Sequence, residues 1–211
     1  MYCTTQNEFI MPYSDFKSLR QLEKQFGITY TFDHIFTDIQ PVMPSHYLTH
    51  DLLEAQDYPT YPSEKAKSEL MIMPVIKEIK RNNPSFQVFS GFSFDVDSSQ
   101  GLNGFCDYLF SKEPKILEIK SPVFCVVEAK DRTVEEGFAQ AASEMYAAIL
   151  FNESEGRPTP TVFGCVTNSD VWVFLRLDEK KLTIDETRYY LIESSLTNLL
   201  GAFNKIVNFF S

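Results

Sequence analysis

The sequence predicts a mixed α/β fold, a central β-sheet of parallel and antiparallel strands flanked by helices. Three patterns predict it. The apolar runs Val123-Phe124-Cys125-Val126-Val127 and Thr161–Thr167 read as buried strands. A long helical pattern over residues 134–151 lies between them, so the crossover should set these two strands parallel. Shorter strand-like segments joined by turns should add antiparallel neighbours on either side.

Taken in order, residues 1–62 read as an N-terminal helical extension and connector, and 63–211 as the domain proper. Residues 14–26 carry Phe16, Leu19, Leu22 and Phe26 at helical spacing, ended by Gly27, and 45–55 read as a second short helix. Prolines break the segment 56–62 into a connector. Ser63 can cap the next helix, which carries Ala66, Leu70, Met73 and Ile76 on one side as far as Arg81, with a kink expected at Pro74. Over 86–96 the positions Phe86, Val88, Phe92, Phe94 and Val96 predict a half-buried strand with a bulge at Gly91. Two further strands follow, one carrying Asp107 and one ending at Glu128.

Thr133 and Glu136 form a capping-box pattern for the helix over 134–151, whose stripe is Val134, Phe138, Ala141, Met145, Ala148 and Ile149. Strands over Thr161–Thr167 and 171–177 are joined by Asn168-Ser169-Asp170. A short strand over 187–192 and an apolar helix from Leu196 to Phe210 complete the pattern.

Composition narrows the function classes. The 211 residues are 44% hydrophobic with 19 Phe, enough for one substantial core rather than a disordered chain. No apolar run reaches the roughly 18–20 residues of a membrane span, and the first residues lack the pattern of a signal peptide, so no membrane partner and a cytoplasmic location are expected. Cys3, Cys106, Cys125 and Cys165 form no C-x-x-C pair, which argues against structural zinc and disulfides. His34, His46 and His50 lack a metal-ligand pattern, and His46 and His50 read as a surface pair. The net charge of −10, from 29 acidic and 19 basic residues, runs against broad binding of a polyanion, so any contact with nucleic acid must be local, metal-assisted or shared with a partner. The best basic cluster is Lys77, Lys80 and Arg81, with Lys65 and Lys67 nearby.

Two acidic signatures stand out: Gly104-Phe105-Cys106-Asp107-Tyr108, and Val126-Val127-Glu128-Ala129-Lys130. Alternate residues of a strand share a face, so Glu128 and Lys130 should point together into one small space while Ala129 points into the packing. If the two strands pair as a hairpin, Asp107 joins them. Two carboxylates and a lysine are what a magnesium site for phosphate-ester hydrolysis needs. Mg²⁺ takes carboxylate and carbonyl oxygens and keeps waters, so histidines are unnecessary. A lysine buried beside such groups is expected to lose its proton more easily than a solvated one. Each residue alone has an ordinary reading: Asp107 as a turn residue, Gln140 as a surface amide, Glu64 and Glu69 as solvated helix charges.

A helix bearing Glu, a strand, a hairpin carrying Asp and then Glu-x-Lys, and a helix with an early Gln together resemble the PD-(D/E)xK, restriction-endonuclease-like nuclease superfamily over residues 63–177. More narrowly, Ser63-Glu64-Lys65-Ala66-Lys67-Ser68-Glu69-Leu70-Met71-Ile72-Met73-Pro74 with Gly101-Leu102-Asn103-Gly104-Phe105-Cys106-Asp107 resembles uncharacterised bacterial proteins frequent in cyanobacteria. The helix also resembles the nuclease region of type I restriction subunits. The resemblance implies that Asp107 and Glu128 ligate Mg²⁺ or Mn²⁺ with the Ala129 carbonyl, that Lys130 orients or helps deprotonate a water, and that Gln140 holds the lysine or the scissile phosphate. Cys106 stands where the eponymous Pro would be. The helical acid is Glu69 or Glu64, roughly 140° apart, with Glu69 favoured as the further ligand for its depth in the helix. The implied activity is a metal-dependent nuclease acting on DNA, as a homodimer or in a larger complex. The alternatives are a catalytically silent binding or scaffold module, and a regulatory partner whose acidic surface contacts a basic subunit.

Overall fold

Strand β4 (Val123–Ala129) is buried along its whole length. A strand apolar on both sides must be covered on both sides, and this requirement organises the fold. The computed structural model describes residues 12–58, 63–113 and 115–211. Before β4 come α1 (Leu19–Phe26), β1 (Thr29–Asp33), α2 (His46–Ala55), α3 (Glu64–Lys67), α4 (Met73–Asn82), β2 (Gln87–Ser93) and β3 (Phe105–Ser111). After it come α5 (Phe138–Ser154), β5 (Thr161–Thr167), β6 (Val171–Asp178), β7 (Lys181–Asp185), β8 (Tyr189–Tyr190) and α6 (Glu193–Phe209).

The strands form one mixed sheet in the order β1-β7-β6-β5-β4-β3-β2, with β8 added against β6. As the helical crossover requires, β4 and β5 are parallel, and β3 pairs antiparallel with β4. Alternation along the strands then sorts the core. Val126, Val166, Val173 and Leu175 face α5 and α1, whereas Cys125, Val127, Phe163, Cys165, Trp172 and Phe174 face α4 and α6. Phe203 of α6 sits among Phe110, Trp172 and Phe174 with ring centroids 4.8–6.4 Å apart. Truncating a core ring of this kind costs about 3–5 kcal/mol. Cys106, Cys125 and Cys165 are free and buried, as expected of small apolar side chains, and Cys3 lies outside the described residues. No helix among the described residues is long and apolar enough to cross a membrane.

Several local expectations change. Parts of the N-terminal segment reach the core and the sheet: Tyr13, Phe16, Leu22 and Phe26 pack beside α5, and β1 joins the sheet in parallel with β7. All five residues of β1 are exposed, so it lacks the alternation that marks a half-buried strand. The connector expected over 56–62 is described only as far as residue 58. The bulge expected at Gly91 does not form: Gly91 has φ +64°, but the register runs on unshifted, with Ser90 opposite Tyr108 and Phe92 opposite Cys106. Phe89 is buried, whereas Phe92, expected inside, is 42% exposed.

Two helix starts also differ. The helix that Ser63 caps does not simply kink at Pro74; it widens into a π turn over Ser68–Ile72, where the Met73 N–H reaches back to the Ser68 carbonyl. Proline has no N–H and crowds the preceding turn, and an extra residue in that turn makes room for it. The capping box at Thr133 does not form. A 3₁₀ turn over Val134–Gly137 precedes α5, and Thr133 makes no side-chain cap bond.

Candidate active site

The register of β3 against β4 sets Tyr108 opposite Val127, so one residue further on Asp107 lies opposite Glu128. Asp107 Oδ2 accepts the Ala129 N–H at 2.8 Å. Lys130 follows the end of β4, where its own N–H still bonds the Thr167 carbonyl of β5 at 2.7 Å. Its Nζ donates to Glu128 Oε1 at 2.5 Å and to Gln140 Oε1 at 3.0 Å. Glu128 and Lys130 therefore meet as the period of a strand demands, and α5 brings Gln140 to the lysine.

The stem of Lys130 lies on the 3₁₀ turn before α5. A Cβ on Gly137 would stand 2.5 Å from Val166 Cγ1 and 3.1 Å from Lys130 Cγ. Only a residue without a side chain allows that approach. The tight turn thus replaces the expected cap because its backbone is pressed between lysine and sheet.

The two helical acids separate clearly. Glu64 is half-buried at the start of α3, and its carboxyl feels the charges of Lys130, Asp107 and Asp131. Lys67 of the same turn pairs with Asp131 at 3.2 Å, tying α3 to the loop after β4. Glu69 is 65% exposed and pairs with Lys65 at 3.8 Å. Both acids line a cleft of about 420 Å³ with Ser68, Ser90, Gly91, Asp107 and Tyr108. Glu64 is thus the more buried of the two, and the one whose carboxyl feels Lys130 and Asp107. The Tyr108 hydroxyl donates to the Ser68 carbonyl of the π turn at 3.3 Å, so the widened turn is fastened to the strand that bears Asp107.

Glu144 on α5 was not anticipated. It is fully buried, and its Oε1 accepts from Gln140 Nε2 at 3.1 Å. The signal for it in the sequence is an acid four residues after Gln140, between Ala141 and Ala148 of the apolar stripe. Burial pushes Glu144 up to about 8, with the Gln140 hydrogen bond and Lys130 opposing the rise and Asp107 adding to it. Burial, then the charges of Glu144 and Asp107, hold Glu128 well above the usual carboxylate range against the pull of Lys130. Asp107 and Glu64 are raised chiefly by burial as well. Burial alone would lower Lys130, but Glu128, Glu64 and Asp107 outweigh it and raise the lysine. The lysine is thus raised rather than lowered, against the expectation that a buried lysine loses its proton more easily than a solvated one.

Glu128 Oε2 and Glu144 Oε2 are both buried without a hydrogen-bond partner. An orphaned carboxylate oxygen among like charges is the environment a hard cation relieves. Asp107, Glu128 and Glu64 with the Ala129 carbonyl therefore fit Mg²⁺ or Mn²⁺ in donor type. Among the described residues, the group whose candidate ligand atoms already lie within 4.8 Å of one another is a different one, His50, Asp51 and Glu54 on α2. A larger hollow of about 690 Å³ at the far end of α5 is lined mainly by Tyr146, Ile149, Leu150 and prolines, and its acids Glu153 and Glu179 are exposed. No family model matches the chain, and no curated protein is significantly similar to it.

Proposed function

We propose that the chain is a divalent-metal-dependent nuclease that hydrolyses phosphodiester bonds of nucleic acid, DNA in the first instance, on a restriction-endonuclease-like core. The observation that carries this reading is the buried Glu128 carboxylate, bonded to Lys130 through one oxygen and orphaned at the other, with Asp107 opposite it. A structural buried acid in the same chain differs: Glu78 accepts from the Ser45 N–H and hydroxyl, each at 2.7 Å, and also pairs with Arg81.

In this reading Asp107, Glu128, the Ala129 carbonyl and Glu64 would hold Mg²⁺ or Mn²⁺, which would supply Lewis acidity toward the phosphate and the attacking water. The Ala129 N–H fixes Asp107. Lys130, kept charged by Glu128 and aimed by Gln140, orients the attacking water and offsets negative charge growing on the phosphoryl oxygens. Water oxygen bonds to phosphorus, the bond to one ester oxygen breaks, and that oxygen leaves with a proton. With a net charge of −10 the chain has little general attraction for a polyanion. Substrate affinity then depends on the metal, on local cations such as Lys65, or on a partner.

Cleavage of duplex, single-stranded, branched and RNA substrates with Mg²⁺ and Mn²⁺ tests this, comparing wild type with Asp107→Ala and Lys130→Ala. Metal-dependent cleavage lost in both variants is expected. A second reading, a catalytically silent module, draws on the lysine: Lys130 already neutralises Glu128 without any metal. Absence of both cleavage and calorimetric metal binding by wild type selects it.

A further inference from the structure

The lysine and the two buried glutamates are linked through a single amide. Gln140 receives Lys130 Nζ on its Oε1 at 3.0 Å and gives its Nε2 to Glu144 Oε1 at 3.1 Å. A side-chain amide has two nearly isosteric ends, and what decides which end faces the lysine is the partner of the other end. Lys130 can only donate, so the amide oxygen must face it. Glu144 holds the other end, because its Oε1 accepts the N–H₂ group.

Besides Gln140, the polar group that engages Glu144 is the Cys106 thiol of β3. Ala141, Met145, Ala147 and Ala148 around it on α5 are apolar and fully buried. The carboxyl is enclosed with one oxygen unpartnered, a costly arrangement for a side chain whose role is to fill space. Its placement four residues after Gln140 puts both on one helix face.

From this we infer that Glu144 is a positioning residue: it locks the Gln140 amide with its oxygen toward Lys130, so that the ammonium is held between Glu128 and Gln140. The chain Glu128, Lys130, Gln140, Glu144 then spans β4 and α5 as one preorganised unit. For its effect on a reaction this inference rests on the nuclease reading; the orientation of Gln140 does not.

The experiment uses three full-length proteins: wild type, Glu144→Gln, which keeps an acceptor oxygen, and Glu144→Leu, which keeps the volume and loses it. In nitrogen-15 amide spectra, assigned with Gln140→Ala, the Gln140 side-chain pair should be protected from exchange in wild type and Glu144→Gln, and solvent-like in Glu144→Leu. Mg²⁺ affinity by calorimetry should be the same in all three. The cleavage kcat of Glu144→Leu should fall roughly tenfold to a hundredfold, as for loss of an outer partner that orients a site residue, and Glu144→Gln should restore most of it. Thermal melting of Glu144→Leu at or above wild type shows that the loss is not unfolding. An unchanged Gln140 resonance in Glu144→Leu overturns the inference, as does weaker Mg²⁺ binding, which would make Glu144 a ligand. Wild type without cleavage overturns the nuclease reading instead, and the amide spectra still decide the role of Glu144.

Discussion

Two groups of acids in this molecule invite opposite judgements. On α2, His50 and Glu54 lie 3.5 Å apart with side chains more than half exposed, and Asp51 beside them pairs with Lys77 at 3.4 Å. Their ligand atoms are already gathered, yet each acid is solvated or paired and costs the fold little. Where β3, β4 and α5 meet, Asp107, Glu128 and Glu144 are less tightly gathered, but the two glutamates are withdrawn from water beside a half-buried Asp107, and one oxygen of each glutamate lacks a partner. Proximity on a helix surface is inexpensive and common. Burial of unpaired carboxyl groups is unfavourable, and it persists where surrounding structure enforces it. Energetic cost, more than spacing, is therefore the ground on which the proposed site is chosen over the α2 group.

The sharpest way to break the comparison is substitution in both groups. Asp107→Ala or Lys130→Ala should lower metal-dependent cleavage by roughly a hundredfold to a thousandfold, whereas the double variant His50→Ala, Glu54→Ala should leave the rate and calorimetric Mg²⁺ affinity unchanged. Loss of activity in the α2 variant would reverse the assignment. Next in size, Gly137→Ala adds a methyl group where Val166 and the Lys130 stem already lie. Displacing the ammonium in this way should reduce kcat by up to roughly a hundredfold, read in single-turnover assays, without changing any charge.

Stability against pH probes the buried group directly. Glu144 stays protonated up to about 8 when folded and ionises in the ordinary carboxylate range when unfolded. Between those limits the folded state holds the extra proton, so metal-free stability should fall as pH rises from about 5 to 8, by on the order of 3 kcal/mol. Glu128, Asp107 and Glu64 are raised too and contribute the same sign. Urea melts across this range should show a shallower slope for Glu144→Gln; an identical slope would place the burden elsewhere. The smallest effect belongs to the exposed Lys65–Glu69 pair. Lys65→Ala should shift stability by no more than about 0.5 kcal/mol, while Glu64→Gln should reduce cleavage more than Glu69→Gln does.

Most of the sheet is legible in the sequence. β5 matches its expected span, β4 reads as an apolar run, and the α5 stripe forces the parallel pairing of β4 and β5. The alternation that sets Glu128 beside Lys130 is equally local. By contrast, β1 is invisible because its five residues are exposed and its pairing with β7 joins segments distant in sequence. The same distance hides which helical acid is drawn in: spacing along the helix leaves both Glu64 and Glu69 available, and the Lys67–Asp131 tie holds the Glu64 end of the helix against the loop after β4.

By itself the sequence determined the mixed α/β class and the meeting of Glu128 with Lys130, because periodicity acts between residues close along the chain. The upward shift of Lys130, the burial of Glu144 and the packing of Tyr13, Phe16, Leu22 and Phe26 beside α5 come from the fold. Those properties depend on what distant segments exclude from water, and desolvation leaves no mark on local spacing.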